Sequence, residues 1–410
     1  MKYIHLYLNS FKGLSKEIWF LALVTLINRA GTMVIPFLTI YLKSDKNFTL
    51  QDIAWVMTAF GFGSVVGAWL GGKLTKKMGF YYLMFWSLIL TGIAFILLQY
   101  IDSFAGICIG IFILMLIADA FRPASYVAID AYSSPENKTR SVSLLRLAIN
   151  LGFSFGPALG GIIITQGSYT GLFWVDGLTC IFAAIMFVLL LNNKASKIQK
   201  TEIKGMKYLS PYKDYPYLLL VFCVFLIGFT FLQFFSTVPL YYKEIHHLDE
   251  SKIGLLFFLN GFLIFLVEMP LVKYLEKPGI SVYKIVYFSV ILLILCFLVL
   301  NLFSWVGILT ISMIFMTFGE IFNFPFLNSL AFKRAKRGNM GEYMALFTMA
   351  FSFAHILGHN TGLHLIKNYG YNATWYIMAG ILIICLFLLI WHKNISKGES
   401  DELISETNEN

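Results

Sequence analysis

The chain has 410 residues, of which 58% are hydrophobic and 13% charged, and its mean hydropathy is +0.75. Soluble domains carry about 25% charged residues, so a water-facing surface of ordinary polarity cannot be built from this composition. The net charge of +9 would suit a nucleic-acid partner only if a basic face stood on a soluble module, and no stretch supplies one.

The N-terminal MKYIHLYLNSFKGLSKE shows no cleavage site after a brief apolar core, so the first long apolar run is expected to stay in the protein as a span. Runs long enough to cross roughly 30 Å of hydrocarbon as helices lie at 18–42, 51–72, 80–101, 104–129, 141–165, 171–192, 216–242, 251–275, 281–303, 305–331, 342–366 and 372–392. The pattern predicts an all-α membrane protein of twelve transmembrane helices. With both termini cytoplasmic, five of the 31 Lys and Arg face outward (Lys43, Lys46, Lys243, Lys252, Lys367) and three lie within spans (Arg29, Arg122, Arg146). The remaining 23 face inward, as the positive-inside rule requires of a multi-pass protein of the plasma or bacterial inner membrane.

The first span places Arg29 near the middle of LVTLINRAGTMVIPFLTIYL. A charge at that depth costs at least a few kcal/mol unless it faces a bundle interior or a water-filled cavity. Arg29 either ties helices together or, with Asn28, binds substrate; its planar fork suits an anionic group. In span 4, LIADAFRPASYVAIDAY sets Asp119 and Arg122 three residues apart, near enough on a helix to pair. Pairing lowers the cost of burial and sets the carboxylate's proton affinity, so the two are candidate proton-coupling residues; a mutually neutralised structural pair is the alternative.

Span 6 carries Asp176 near its outer end, where a gate or snorkelling role is expected. In span 8, Glu268 precedes Pro270 and suggests a kink or gate. Glu320 in span 10 lies close to the repeat position of Asp119 and is the second candidate proton site. His355 and His359 in span 11 are one helical turn apart, a spacing open to a metal or a proton path. Their HILGH lacks the glutamate of H-E-x-x-H, so hydrogen bonding across helices is expected and a metal site is not. The five cysteines lie singly within spans and read as small apolar residues.

The longest polar connection, with six lysines, follows span 6. It divides the chain into an N-terminal six-helix bundle at 1–192, a basic cytoplasmic linker at 193–216, and a C-terminal six-helix bundle at 217–410 that ends in a polar cytoplasmic tail. At an offset of 200, Lys73, Lys77 and Gly79 meet Lys273, Lys277 and Gly279; at 202, Pro123 meets Pro325 and Gly160 meets Gly362. Such weak internal symmetry marks transporter halves that rock about a site between them. Small residues at four-residue spacing (Gly63, Gly67, Gly71; Gly152, Gly156, Gly160; Ala354, Gly358, Gly362) would let backbones approach closely in lipid.

The stretch NLGFSFGPALGG in span 5 resembles the G-x-x-x-G-P-x-x-G-G antiporter motif of the major facilitator superfamily, matched at Gly152, Gly156, Pro157, Gly160 and Gly161. The loop after span 2, GKLTKKMGFY, is similar to that family's G-x-L-x-D-R-x-G-R-R but puts Lys76 at the aspartate position. The arginine and Q-G signature of drug exporters in span 4 is not evident. The resemblance, closest to twelve-span proton-coupled drug exporters, implies two pseudo-symmetric six-helix bundles around a central cavity and alternating access. It also implies efflux of a small-molecule substrate by a monomer in lipid, driven by a proton gradient with no cofactor, with the segment 5 glycines and proline as gating motif. Arg29 keeps open a proton-coupled importer of an anionic or zwitterionic metabolite, such as a peptide or organic acid. Outside transport stand an intramembrane enzyme and a transport-dead sensor; the enzyme would need a nucleophile with a base or a metal triad, and the sequence offers neither.

Overall fold

A computed structural model describes residues 7, 9–31, 33–165, 169–194, 209–248, 250–277, 279–302 and 305–408. The described residues are overwhelmingly helical, and no strand occurs among them. The helices are α1 (Lys16–Ala30), α2 (Val34–Ser44), α3 (Leu50–Leu98), α4 (Phe104–Tyr132), α5 (Lys138–Thr165), α6 (Thr170–Leu190), α7 (Tyr215–Phe231), α8 (Gln233–Glu244), α9 (Glu250–Leu275), α10 (Val282–Leu302), α11 (Gly307–Ala335) and α12 (Met340–Asn408). Most of the linker at 193–216 lies outside the described residues.

Two of these helices are longer than any bilayer needs, and a glycine divides each. Gly79 (φ 82°) interrupts α3 and Gly370 (φ 77°) interrupts α12, left-handed conformations that residues with a Cβ resist. Contacts show that the chain reverses at both. Gly63, Gly67 and Gly71 meet Phe112, Leu116 and Ala120 in parallel order. After Gly79 the order inverts, with Phe80 against Tyr132 and Ser87 donating to the Ile117 carbonyl at 2.6 Å. In α12, Gly358 and Gly362 follow α7 into α8, whereas past Gly370 the Tyr371 ring lies 5.2 Å from Tyr241 and Cys385 Sγ reaches the Cys223 carbonyl. Counting each reversal as two crossings gives the twelve expected from the apolar runs; nine helical stretches among the described residues meet the length and hydropathy needed to cross a membrane.

The first and seventh runs, 18–42 and 216–242, are not continuous helices as their apolar lengths suggest. The first breaks between α1 and α2 at Gly31–Met33, the seventh between α7 and α8 at Leu232. The breaks fall at repeat-related places, and each is held by a polar side chain, as backbone groups freed inside hydrocarbon require.

By proximity the chain groups into Met1–Lys207 with Ala335–Ser352, and Tyr208–Arg334 with Phe353–Asn410. In the first unit, Ser15 accepts from Ile18 N and donates to the Tyr132 carbonyl at 2.7 Å, so one hydroxyl caps α1 and ties it to the end of α4. Thr49 and Asp52 form a capping box at the start of α3. In the second unit Asp214 caps α7 through Tyr217 N and receives a forked pair of bonds from Arg334 at the end of α11, at 2.7 Å (Nε) and 2.5 Å (Nη2).

Candidate functional site

The glycine stripe of α3 brings its backbone so close to α4 that a Cβ added at Gly67 would stand 2.4 Å from the Leu116 carbonyl oxygen. At that separation even a serine side chain spans the gap. Ser64 Oγ donates to Asp119 Oδ2, while Arg122 Nε bonds Asp119 Oδ1 at 2.8 Å. Asp119 is buried, whereas the Arg122 side chain is 37% exposed. Ser352 of α12 lies 3.0 Å from Ser64 Oγ, which extends the network to a third helix. A carboxylate held by one charged and one hydroxyl donor keeps its charge in a low dielectric at far smaller cost than a bare one.

Arg29 stands at the last turn of α1, within electrostatic reach of Asp119 and Arg122. Gly152 of α5 packs on its Cβ and backbone, and its guanidinium lies 5.6 Å from the centre of the Phe153 ring. Its buried Nε has no hydrogen-bond acceptor among the described residues. Asp119 thus bonds Arg122 directly and has the Arg29 guanidinium as a second positive group within electrostatic reach. Asn28, beside Arg29 in sequence, donates from Nδ2 to Cys180 Sγ at 3.3 Å and so faces α6.

Asp176 is almost fully buried at 1% exposure. Its Oδ1 accepts from Met33 N at 2.8 Å and Oδ2 from Val34 N at 2.9 Å, which caps α2 from across the unit. Of the span 5 motif, Gly152 meets Arg29, and Gly160 meets Met33 and Phe37. Gly156, Pro157 and Gly161 lie in α5, with surroundings outside the described residues. The lysine at the family's aspartate position, Lys76, faces Glu342 of α12 at 3.5 Å, and Gly72 packs on Gly341 beside it.

In the second unit Glu320 of α11 is buried, and Asn260 of α9 donates to its Oε2 at 3.3 Å and to Thr317 Oγ1 at 3.0 Å. Three residues beyond Glu320, where the first unit has an arginine, Asn323 donates to Ser289 at 2.8 Å. Glu268 is buried in α9 two residues before Pro270. His355 is exposed on α12, and the side chain of His359 lies outside the described residues. No group of three metal-ligating side chains occurs among the described residues.

Sequence reasoning missed Ser64, Ser352, Asn260 and Gln233. Ser64 hid inside a glycine stripe, although a lone hydroxyl on a helix-contact face is a donor that must find an acceptor in lipid. Gln233 is buried at the break in the seventh run, where Nε2 donates to Phe229 O and Gly358 O, both at 3.0 Å. Its signal was an amide in an otherwise apolar span.

A model of the Major Facilitator Superfamily matches residues 18–359. An uncharacterized MFS-type transporter of Bacillus subtilis, YttB, is 23% identical over 377 residues, covering 91% of this chain and 94% of that one. A protein named as a Na(+), Li(+), K(+)/H(+) antiporter in Planococcus maritimus is 21% identical, covering 89% and 92%. The quinolone resistance protein NorA of Staphylococcus aureus is 27% identical over 179 residues, 44% of this chain and 45% of that one. Among solved structures, the human organic anion transporter MFSD10 superposes with a TM-score of 0.73 at 16% identity, covering 91% of this chain and 99% of that one. The proton:xylose symporter XylE superposes at 0.69 with 14% identity, covering 91% and 94%.

Proposed function

Since the chain belongs to the major facilitator superfamily, and so is a transporter rather than an enzyme, we propose that it exports small organic molecules bearing an anionic group in exchange for protons. On this reading Asp119 takes up and releases the proton, Arg29 engages the substrate, and two six-helix halves joined by the 193–216 linker alternate between sides. Both termini are cytoplasmic, the protein works as a monomer in the plasma or bacterial inner membrane, and the proton gradient is its only energy source.

The observation that carries the reading is the buried carboxylate of Asp119, held by donors from two helices, Ser64 on α3 and Arg122 on its own α4. Loss of either donor during a conformational change alters the cost of the charged form and therefore the affinity for a proton. Ser64 is itself linked to Ser352, so movement of α12 would reach Asp119. Export is favoured by the antiporter named among the full-length relatives and by the partial likeness to NorA. An anionic substrate is favoured by the buried Nε of Arg29, which has no acceptor among the described residues, and by the two guanidiniums, Arg29 and Arg122, near Asp119.

A second reading rests on the same charges. A substrate anion drawn to Arg122 would displace Asp119, whose carboxylate would then be better tolerated protonated, so anion and proton would bind together and move together as in uptake. Proteoliposomes with a pH gradient imposed in either direction separate the two. Carboxylate-bearing compounds that raise the melting temperature of the purified protein serve as substrates. Accumulation against a gradient of opposite proton flow supports export, and accumulation with proton flow supports uptake.

A further inference from the structure

The break in the first span is unusual in where its cap comes from. In an unbroken helix Met33 N and Val34 N would bond the carbonyls of Arg29 and Ala30, four residues back. Here Gly31 N closes α1 by bonding Ile27 O, and α2 begins on Met33, which offers no side-chain cap of its own. Met33 N keeps a tight-turn bond to Gly31 O at 2.9 Å, but without a further acceptor Val34 N would be left open inside the membrane, at a cost of several kcal/mol. Asp176, 143 residues away, supplies one oxygen to each.

The same face of α6 grips the rest of the break. Thr179 fills the space beside Gly31, where an added Cβ would fall 1.8 Å from Thr179 Oγ1, and Cys180 receives Asn28. Gly152 of α5 packs on the backbone of Arg29 and Ala30. The backbone of 28–31 and 33–34 is therefore held, while the Nε of the Arg29 side chain it carries has no acceptor among the described residues. A carboxylate is suited to this place because a helix N-terminus carries partial positive charge. The second unit breaks its seventh run at the equivalent point but holds it with Gln233, an uncharged residue from the broken span itself. Among the described residues, the break beside Arg29 has a charged cap from another helix and the break at Leu232 has the uncharged Gln233.

We propose that Asp176 is a positioning residue for transport: by capping α2 it keeps the first span broken, and the break is what presents the Arg29 guanidinium for a ligand. Without the cap, Met33 N and Val34 N return to the carbonyls of Arg29 and Ala30, the span straightens, and Arg29 rotates away. The inference rests on the reading of Arg29 as the substrate-binding residue.

The test needs no known substrate. Phenylglyoxal reacts with accessible guanidinium groups, and peptide mass spectrometry reads Arg29 against Arg122, which serves as internal reference, in the full-length protein in lipid nanodiscs. Asp176→Leu removes both acceptors; Asp176→Asn keeps one and carries the test where the leucine variant does not fold. The ratio of Arg29 to Arg122 labelling is expected to fall in the order wild type, Asp176→Asn, Asp176→Leu, by about threefold or more at the first step, a population change within the range of one lost charged hydrogen bond. A lowered melting temperature with an unchanged ratio means that Asp176 is only structural and overturns the proposal. Failure of wild-type Arg29 to label at all overturns the underlying reading of Arg29 first, and the proposal with it.

Discussion

The two units solve one problem, a buried acid on a helix pair, in opposite ways. In the first, Gly63, Gly67 and Gly71 press α3 onto the backbone of α4, and a short serine reaches a short aspartate. At the repeat positions of those glycines the second unit has Leu263, Val267 and Leu271. The preserved glycine of α9, Gly261, has open space where its Cβ would be. There longer side chains make the connection: Asn260 meets Glu320, an acid one methylene longer than Asp119. The residue three beyond the acid differs as well, Arg122 against Asn323. The close backbone approach of the first unit goes with a short serine-to-aspartate bond, the second unit uses an amide from another position, and of the two acids only Asp119 pairs with a neighbouring arginine on its own helix.

The sharpest way to break this comparison is to neutralise both acids. Asp119→Asn is expected to abolish pH-gradient-driven transport while leaving exchange of bound substrate, with Glu320→Gln the lesser lesion; equal and unimpaired accumulation by both variants in vesicles would end the assignment of coupling to these residues. Next in size is packing. Gly67→Leu drives a side chain into the Leu116 carbonyl and should cost about 3 kcal/mol or more, whereas Gly261→Leu should stay within about 0.5 kcal/mol. Thermal unfolding of the purified variants compares them directly, and similar melting temperatures would show that the glycine clasp does not distinguish the units.

A smaller effect is expected at Arg29. Arg29→Lys keeps the charge and loses the fork, so abundance should be normal and ligand affinity about tenfold weaker, the order of one charged hydrogen bond. Unchanged affinity, combined with failure of Arg29→Ala to fold, would make Arg29 a tie between helices. Smallest is the ion pair of Glu17 with Lys194 at the start of α1, where the hydrogen bond from Lys194 holds the Glu17 carboxyl below its usual range. Its contribution is fully present above the ordinary glutamate range and is lost as pH falls below that range and through the lowered value of the folded protein. In so exposed a pair this amounts to a few tenths of a kcal/mol. Glu17→Gln should therefore flatten the acid limb of the stability curve only slightly, as melting temperature against pH would record.

Much of the fold was legible because lipid imposes a length rule that apolar runs obey one by one. The pairing of Asp119 with Arg122 was legible for the same local reason, since three residues on a helix fix their separation. What escaped depended on contacts distant in sequence. Asp176 read as a gate or snorkelling residue because nothing near it in the chain announces that the amides of Met33 and Val34, over 140 positions earlier, start a helix and take its carboxylate as their cap. The breaks at Gly31–Met33 and Leu232 escaped because hydropathy is blind to whether a helix is continuous. Asn260 and Glu320 are 60 residues apart, and only the packing of α9 on α11 brings them together.

The contact between Lys76 and Glu342 has a consequence for anyone who would engineer this protein. The family motif that this loop resembles has an aspartate at the lysine position, so restoring the motif residue would ordinarily count as a stabilising choice. Here the partner across the contact is already acidic, and the lysine, half-exposed on a long flexible stem, is the matching charge. Lys76→Asp would set two carboxylates against each other beside the close approach of the Gly72 and Gly341 backbones. Family averages carry the assumption that the partner is average too, and at this contact polarity has to be changed on both sides or on neither.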